Sequence, residues 1–163
     1  MGAHPVHQAL LEGVAHLSPT SRARYLRLEA RGLFTARALP LGGVRLRGPG
    51  LYRVHLWPRT DREGFVVGVQ VVKARFLEEA PVGAVPGEPL RFRLVGRWLG
   101  AWEGLGRILV VPQDPLEVRP FPVRFLLRRP GEAPPPGGLA LARGVLRSGR
   151  LVGEVVPLEG GSP

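Results

Sequence analysis

Leu90-Arg-Phe-Arg-Leu-Val-Gly-Arg-Trp98 alternates apolar and cationic side chains almost from end to end. Successive residues of a strand point to opposite sides, so Phe92, Leu94, Gly96 and Trp98 share one face. Arg91, Arg93 and Arg97 share the other, with Val95 among them. The segment reads as a half-buried β-strand with an apolar inner side and a guanidinium outer side. Its borders agree with that reading. Pro81–Pro89, with three prolines and two glycines, is a loop, and the glycine-spaced Gly100–Gly106 leads into the apolar run Ile108–Val111.

The period of two recurs along the chain. Leu26, Leu28 and Ala30 alternate with Tyr25, Arg27, Glu29 and Arg31, although the same residues are also good helix formers and a helical continuation is the alternative there. Leu51–Trp57, Phe121–Arg129, Leu139–Arg147 and Arg150–Val156 are further strands, the last two joined by the hairpin signal Ser148-Gly149. Phe65–Phe76 is apolar on both sides and predicts a strand covered on two faces. Only the N-terminus departs from this pattern. Val6, Leu10, Val14 and Leu17 recur at steps of four and three between Pro5 and Ser18-Pro19, so residues 1–18 predict a short amphipathic helix. Residues 130–138 form a Pro/Gly loop, and 158–163 a disordered tail. No internal repeat emerges, and a division at 112–120 would leave neither side a sufficient core. The expected fold is mainly β: one domain over 1–163, a single antiparallel barrel of six to eight strands with an N-terminal helix.

Composition narrows the chemistry. The 163 residues carry 23 Lys+Arg against 13 Asp+Glu, a formal charge of +10, and Lys73 is the sole lysine. Arginine in place of lysine, 18 prolines and a single Met match the habit of a thermophile with a G+C-rich genome. That habit explains arginine over lysine but not the excess of cations, which suits a polyanionic partner. With no Cys, disulfides, zinc-thiolate sites and cysteine nucleophiles are excluded. Lys73 follows Val72 rather than a phosphate-loop glycine, and none of the four serines lies in a Gly-x-Ser-x-Gly elbow. His4, His7, His16 and His55 lack metal-ligand spacing beside carboxylates. No catalytic residue, metal or cofactor is expected. Neither a membrane span nor a secretory signal is legible, which leaves a cytoplasmic location as the expectation.

The arginines fall on predictable faces. Arg45 and Arg47 oppose Val44 and Leu46, and Arg124 and Arg128 oppose Phe121, Val123, Phe125 and Leu127. In Leu51–Trp57 the core set Tyr52, Val54 and Leu56 leaves Arg53, His55 and Trp57 together outside. Trp102 stands in a glycine-rich segment that a ligand can approach closely, whereas Trp98 belongs to the core set. An indole among guanidiniums is what single-stranded nucleic acid requires: bases stack on the ring while cations follow the phosphates. The candidate binding residues are thus Arg45, Arg47, Arg53, His55, Trp57, Arg91, Arg93, Arg97, Trp102, Arg124 and Arg128.

Leu51–Trp57, Phe65–Phe76, Leu90–Trp98 and the hairpin Leu139–Val156 together resemble the oligonucleotide-binding barrels of the OB-fold group. That resemblance implies binding across a barrel face and its long loops. The group has five strands with a helix between the third and fourth, whereas this chain predicts more strands and a helix at the start. The expected function is non-enzymatic binding of single-stranded nucleic acid, DNA ahead of RNA, with a homo-oligomer as a further expectation. Two other classes compete with it. One is an assembly subunit that docks through the N-terminal helix or an open strand edge. The other is a small enzyme for a phosphorylated ligand, using His55 or Glu103.

Overall fold

The computed structural model describes residues 7–21, 25–31, 33–40, 44–84, 87–111 and 119–158. Among the described residues, ten strands form one mixed, mostly antiparallel sheet. The first five are β1 (Gln8–Pro19), β2 (Leu26–Ala30), β3 (Leu33–Pro40), β4 (Gly50–Thr60) and β5 (Val66–Glu79). They close on themselves in the order β1-β2-β3-β5-β4, because β1 pairs with both β2 and β4. The second five are β6 (Arg91–Trp102), β7 (Leu105–Val110), β8 (Phe121–Leu127), β9 (Leu139–Arg147) and β10 (Arg150–Pro157). They repeat the plan as β6-β7-β8-β10-β9, closed by β6 against β9. In each ring the one parallel pairing joins third strand to fifth, β3 to β5 and β8 to β10.

The rings meet along a paired seam and at a second contact. At the second, the β4–β5 turn lies against β8 and β10 through Phe65 with Arg150, Val66 N–H with the Gly149 carbonyl and Arg124 N–H with Thr60 Oγ1. At the seam the pairing is regular. β1 runs antiparallel to β6, with Gln8 opposite Val95, Leu10 opposite Arg93 and Glu12 opposite Arg91. Leu10 and Arg93 are each the third residue of their strand. The pairing is therefore symmetric about that pair, as an approximate two-fold axis between the rings requires. Gly13 and Gly96, each the sixth residue of its strand, mark the next event. Beyond Gly13 the free edge of β1 passes from β6 to β2, and beyond Gly96 that of β6 passes from β1 to β7. A side chain at Gly96 would collide with the Leu109 carbonyl oxygen, and one at Gly13 would come within 2.9 Å of Leu90 Cδ2. Glycine at both positions lets each strand bend from the seam into its own ring.

The inner sides of the strands supply the core. Leu11, Leu17, Leu28, Tyr52, Val54, Leu56 and Val71 are buried in the first ring, and Phe92, Leu94, Trp98, Ile108, Phe125 and Leu146 in the second. Trp98 and Phe92 both pack against Phe125, and the indole Nε1 of Trp98 donates to the Pro134 carbonyl at 2.7 Å, satisfying the one polar atom that its burial would strand. The connector between the rings lies over the outer side of β1: His16 Nε2 bonds the Ala80 carbonyl at 2.8 Å, which buries this outward-pointing residue completely.

Several expectations need correction. The N-terminal helix is a strand: its described part, from Gln8 onward, is β1, and residues 1–6 lie outside the described residues. A single barrel of six to eight strands is replaced by ten strands in two rings. Phe65–Phe76 does form a strand, β5, but only one face is covered; Val67 is 59% exposed and Lys73 and Arg75 are exposed. Leu33–Pro40, assigned to no element from sequence, is β3. The hairpin at Ser148-Gly149 forms as expected, both residues at positive φ of 50° and 80°. Within 130–138 one short turn of 3-10 helix spans Pro130–Glu132. The expected tail lies outside the described residues beyond Leu158, as does most of the 112–120 break. Among the described residues no helix is long and apolar enough to cross a membrane.

Candidate functional site

The seam turns two sets of outward residues into one surface. Strand pairing aligns Lys73 on β5 with His55 on β4, His55 with Glu12 on β1, and Glu12 with Arg91 on β6. One row to one side, Arg75 stands opposite Arg53, itself opposite Val14. To the other side, Leu10 stands opposite Arg93, and Arg93 opposite Arg143 on β9. Outward parity on each strand places all of these side chains on the same face.

Two open grooves occupy this face. The first, about 690 Å³, is lined by Arg45, Arg53, His55, Lys73 and Arg75. The second, about 390 Å³, is lined by Arg91, Arg93, Arg128 and Arg143 with Glu12 and Glu154. They meet at the seam, where His55 Nε2 lies 3.6 Å from Glu12 Oε2.

The electrostatics are unbalanced. Arg53–Arg75 and Arg93–Arg143 are like charges directly opposite on neighbouring strands, an arrangement that costs about 0.2–1 kcal/mol each. Among the described residues, Arg53, Lys73, Arg75, Arg91, Arg93 and Arg143 form no ion pair. Of the described carboxylates, only two line these grooves: Glu12, opposite Arg91 and 3.6 Å from His55 Nε2, and Glu154, opposite Arg143 and 3.9 Å from Arg128. A surface selected only for solubility would intersperse the signs. This one concentrates cations and leaves them free to take an anionic ligand.

Of the residues expected from sequence, Arg45, Arg53, His55, Arg91, Arg93 and Arg128 are brought together in the two grooves. Trp57 is on the same side of β4 as His55, half-buried, with Gln70 as its partner on β5. Arg97 continues the outward set of β6. Three others lie elsewhere. Arg47 stacks on the Phe76 ring at 5.3 Å and lines a separate hollow with Pro49 and Pro81. Arg124 faces Arg107 on β7–β8, the side of the second ring that contacts neither β6's seam half nor β9. Trp102 is 70% exposed at the tip of the β6–β7 hairpin, away from both grooves.

Sequence reasoning missed Lys73, Arg75 and Arg143. The first two alternate with Ala74 and Phe76 in a strand whose upstream half is valine-rich, and that run masked them. Arg143 alternates with Ala140, Ala142 and Gly144, residues too small to announce an inner face although both alanines are fully buried. Where β4 approaches β8, Arg59 lies 3.7 Å above the Phe121 ring and donates to Gln70 Oε1 at 3.2 Å. Burial holds its guanidinium below the ordinary arginine value. It ties β4 to β8 rather than joining the open face. Comparison with protein-family models, curated proteins and solved structures gives no match.

Proposed function

We propose that this protein binds single-stranded nucleic acid on the cationic face shared by its two rings, without transforming it. The observation that carries the reading is the gathering of Arg53, Lys73, Arg75, Arg91, Arg93 and Arg143 on one surface, with Arg53–Arg75 and Arg93–Arg143 directly opposite each other. Within each pair the like charges oppose one another, and phosphate contacts would relieve that repulsion. Guanidinium suits the task because its donors are fixed in a fork that matches phosphate oxygens. Trp57, half-buried on the same side, supplies an aromatic edge for a base, a contact worth about 1–3 kcal/mol where stacking is complete.

The strand plan supports reading each ring as a small barrel of the OB type. Each has five strands, and the expected N-terminal helix, one of the two departures from that group, is β1. The connection from β8 to β9, where that group carries its helix, holds only the single turn Pro130–Glu132.

The test is titration of tryptophan fluorescence with oligodeoxynucleotides and their RNA counterparts at low salt. Binding should quench the emission, and Trp57→Phe should remove more of the quench than Trp102→Phe. The reading fails if neither nucleic acid alters emission or anisotropy at low ionic strength.

A further inference from the structure

The two grooves differ in ring of origin but abut at the seam, which raises the question of whether they hold two ligands or one. We infer that a single nucleic-acid strand lies across both rings, its phosphates held on one side by Arg53, Lys73 and Arg75 and on the other by Arg91, Arg93 and Arg143. This rests on the reading above that the face binds nucleic acid.

Three observations carry it. The row Lys73–His55–Glu12–Arg91–Val145 runs through five adjacent strands, β5, β4, β1, β6 and β9, with no break in hydrogen-bonded pairing. Four inter-strand steps at about 4.8 Å give a path of roughly 19 Å. Each end of that path carries a like-charge arginine pair, Arg53–Arg75 at one and Arg93–Arg143 at the other. Finally, the central row contains a carboxylate, Glu12, whose Oε2 lies 3.6 Å from His55 Nε2. A phosphate above Glu12 would be repelled, so the strand should straddle it, with backbone on the flanking guanidiniums and a base turned toward the seam. At the roughly 3.4 Å per phosphate of a stacked strand, 19 Å spans about six nucleotides, and fewer in an extended one.

The test is fluorescence anisotropy with labelled oligothymidylates of about 3 to 12 nucleotides, using the full chain and two double variants. These are Arg53→Gln with Arg75→Gln, and Arg93→Gln with Arg143→Gln, changes that relieve repulsion and leave the core untouched. Affinity for the full chain should climb with length to about six nucleotides and then level off apart from the statistical gain of added sites. Each double variant should lose about tenfold or more on the longest oligomer and level off near three nucleotides. Circular dichroism confirms that each variant is folded. A plateau already at three nucleotides in the full chain, or one double variant without effect, confines the ligand to one ring and overturns this inference while leaving nucleic-acid binding intact. Absence of binding at every length overturns both.

Discussion

Arg75 illustrates how much a single side chain can reveal about purpose. It is exposed on β5, opposite Arg53, and none of the ion pairs formed among the described residues includes it. Replacing it with Gln should stabilise the fold by about 0.2–1 kcal/mol, because it removes a like-charge neighbour and no favourable partner. The same change should weaken oligonucleotide binding several-fold. Thermal denaturation and anisotropy on one sample check both signs, and a loss of stability would contradict the description of this pair as repulsive. Parity alone placed Arg53, Arg91 and Arg93 correctly, since each alternates with large apolar neighbours. It did not place Arg124 or Trp102 relative to them, because alternation tells inside from outside but not which part of a closed ring faces which way. His55 shows the same limit. Its outward position was legible, whereas its proximity to Glu12 depends on the register between β1 and β4.

At β1 the apolar spacing pointed the wrong way. Val6, Leu10, Val14 and Leu17 repeat like a helix, yet the buried apolar set is Ala9, Leu11, Ala15 and Leu17, a strand period interrupted by Gly13. Two alanines and a glycine form most of that inner face, and small residues contribute little to a hydrophobic pattern. Leu10 and Val14 point outward and are half-buried, with a paired strand on one edge only, β6 beside Leu10 and β4 beside Val14. Tertiary pairing overrides local preference here. The small residues of β9 and β10 have a comparable role: Gly144 and Gly153 stand opposite each other. A side chain at Gly144 would strike the Val152 carbonyl, and one at Gly153 the Arg143 carbonyl and, at 2.8 Å, the Phe92 ring. Gly144→Ala should therefore cost about 1–3 kcal/mol through forced separation of β9 and β10, measured by denaturant unfolding. Gly131→Ala is the control, with nothing within 4 Å of its added methyl, and should be close to neutral.

The repetition of the ring plan was not legible in the sequence, because matched positions of β1 and β6 differ in residue size. Gly13 with Gly96, Leu11 with Leu94 and Ala15 with Trp98 occupy matching places in β1 and β6, and only the first two pairs are alike. Ala15 and Trp98 fill their cores with side chains of very different size, so one strand plan is built from unlike sequences. The division between halves falls at the proline-rich connector after β5, not at the later break around 112–120. Joining the rings through β1 and β6 has an electrostatic consequence that neither half would have alone. A net charge of +10 spread evenly would attract any polyanion weakly, and removing any one arginine would then matter equally. Concentrating Arg53, Lys73, Arg75, Arg91, Arg93 and Arg143 on one face instead makes the response depend on position. If all six meet phosphates, the logarithm of affinity for single strands should fall against the logarithm of salt with a slope of about −4, so binding drops by roughly two orders of magnitude between 50 and 200 mM. Arg91→Gln should lower that slope by about 0.7. Arg124→Gln, on β8 beside Arg107, should leave it unchanged despite removing the same formal charge. Salt titrations of both variants decide between a directed track and diffuse attraction: equal changes in slope would mean that net charge, rather than the shared face, governs association.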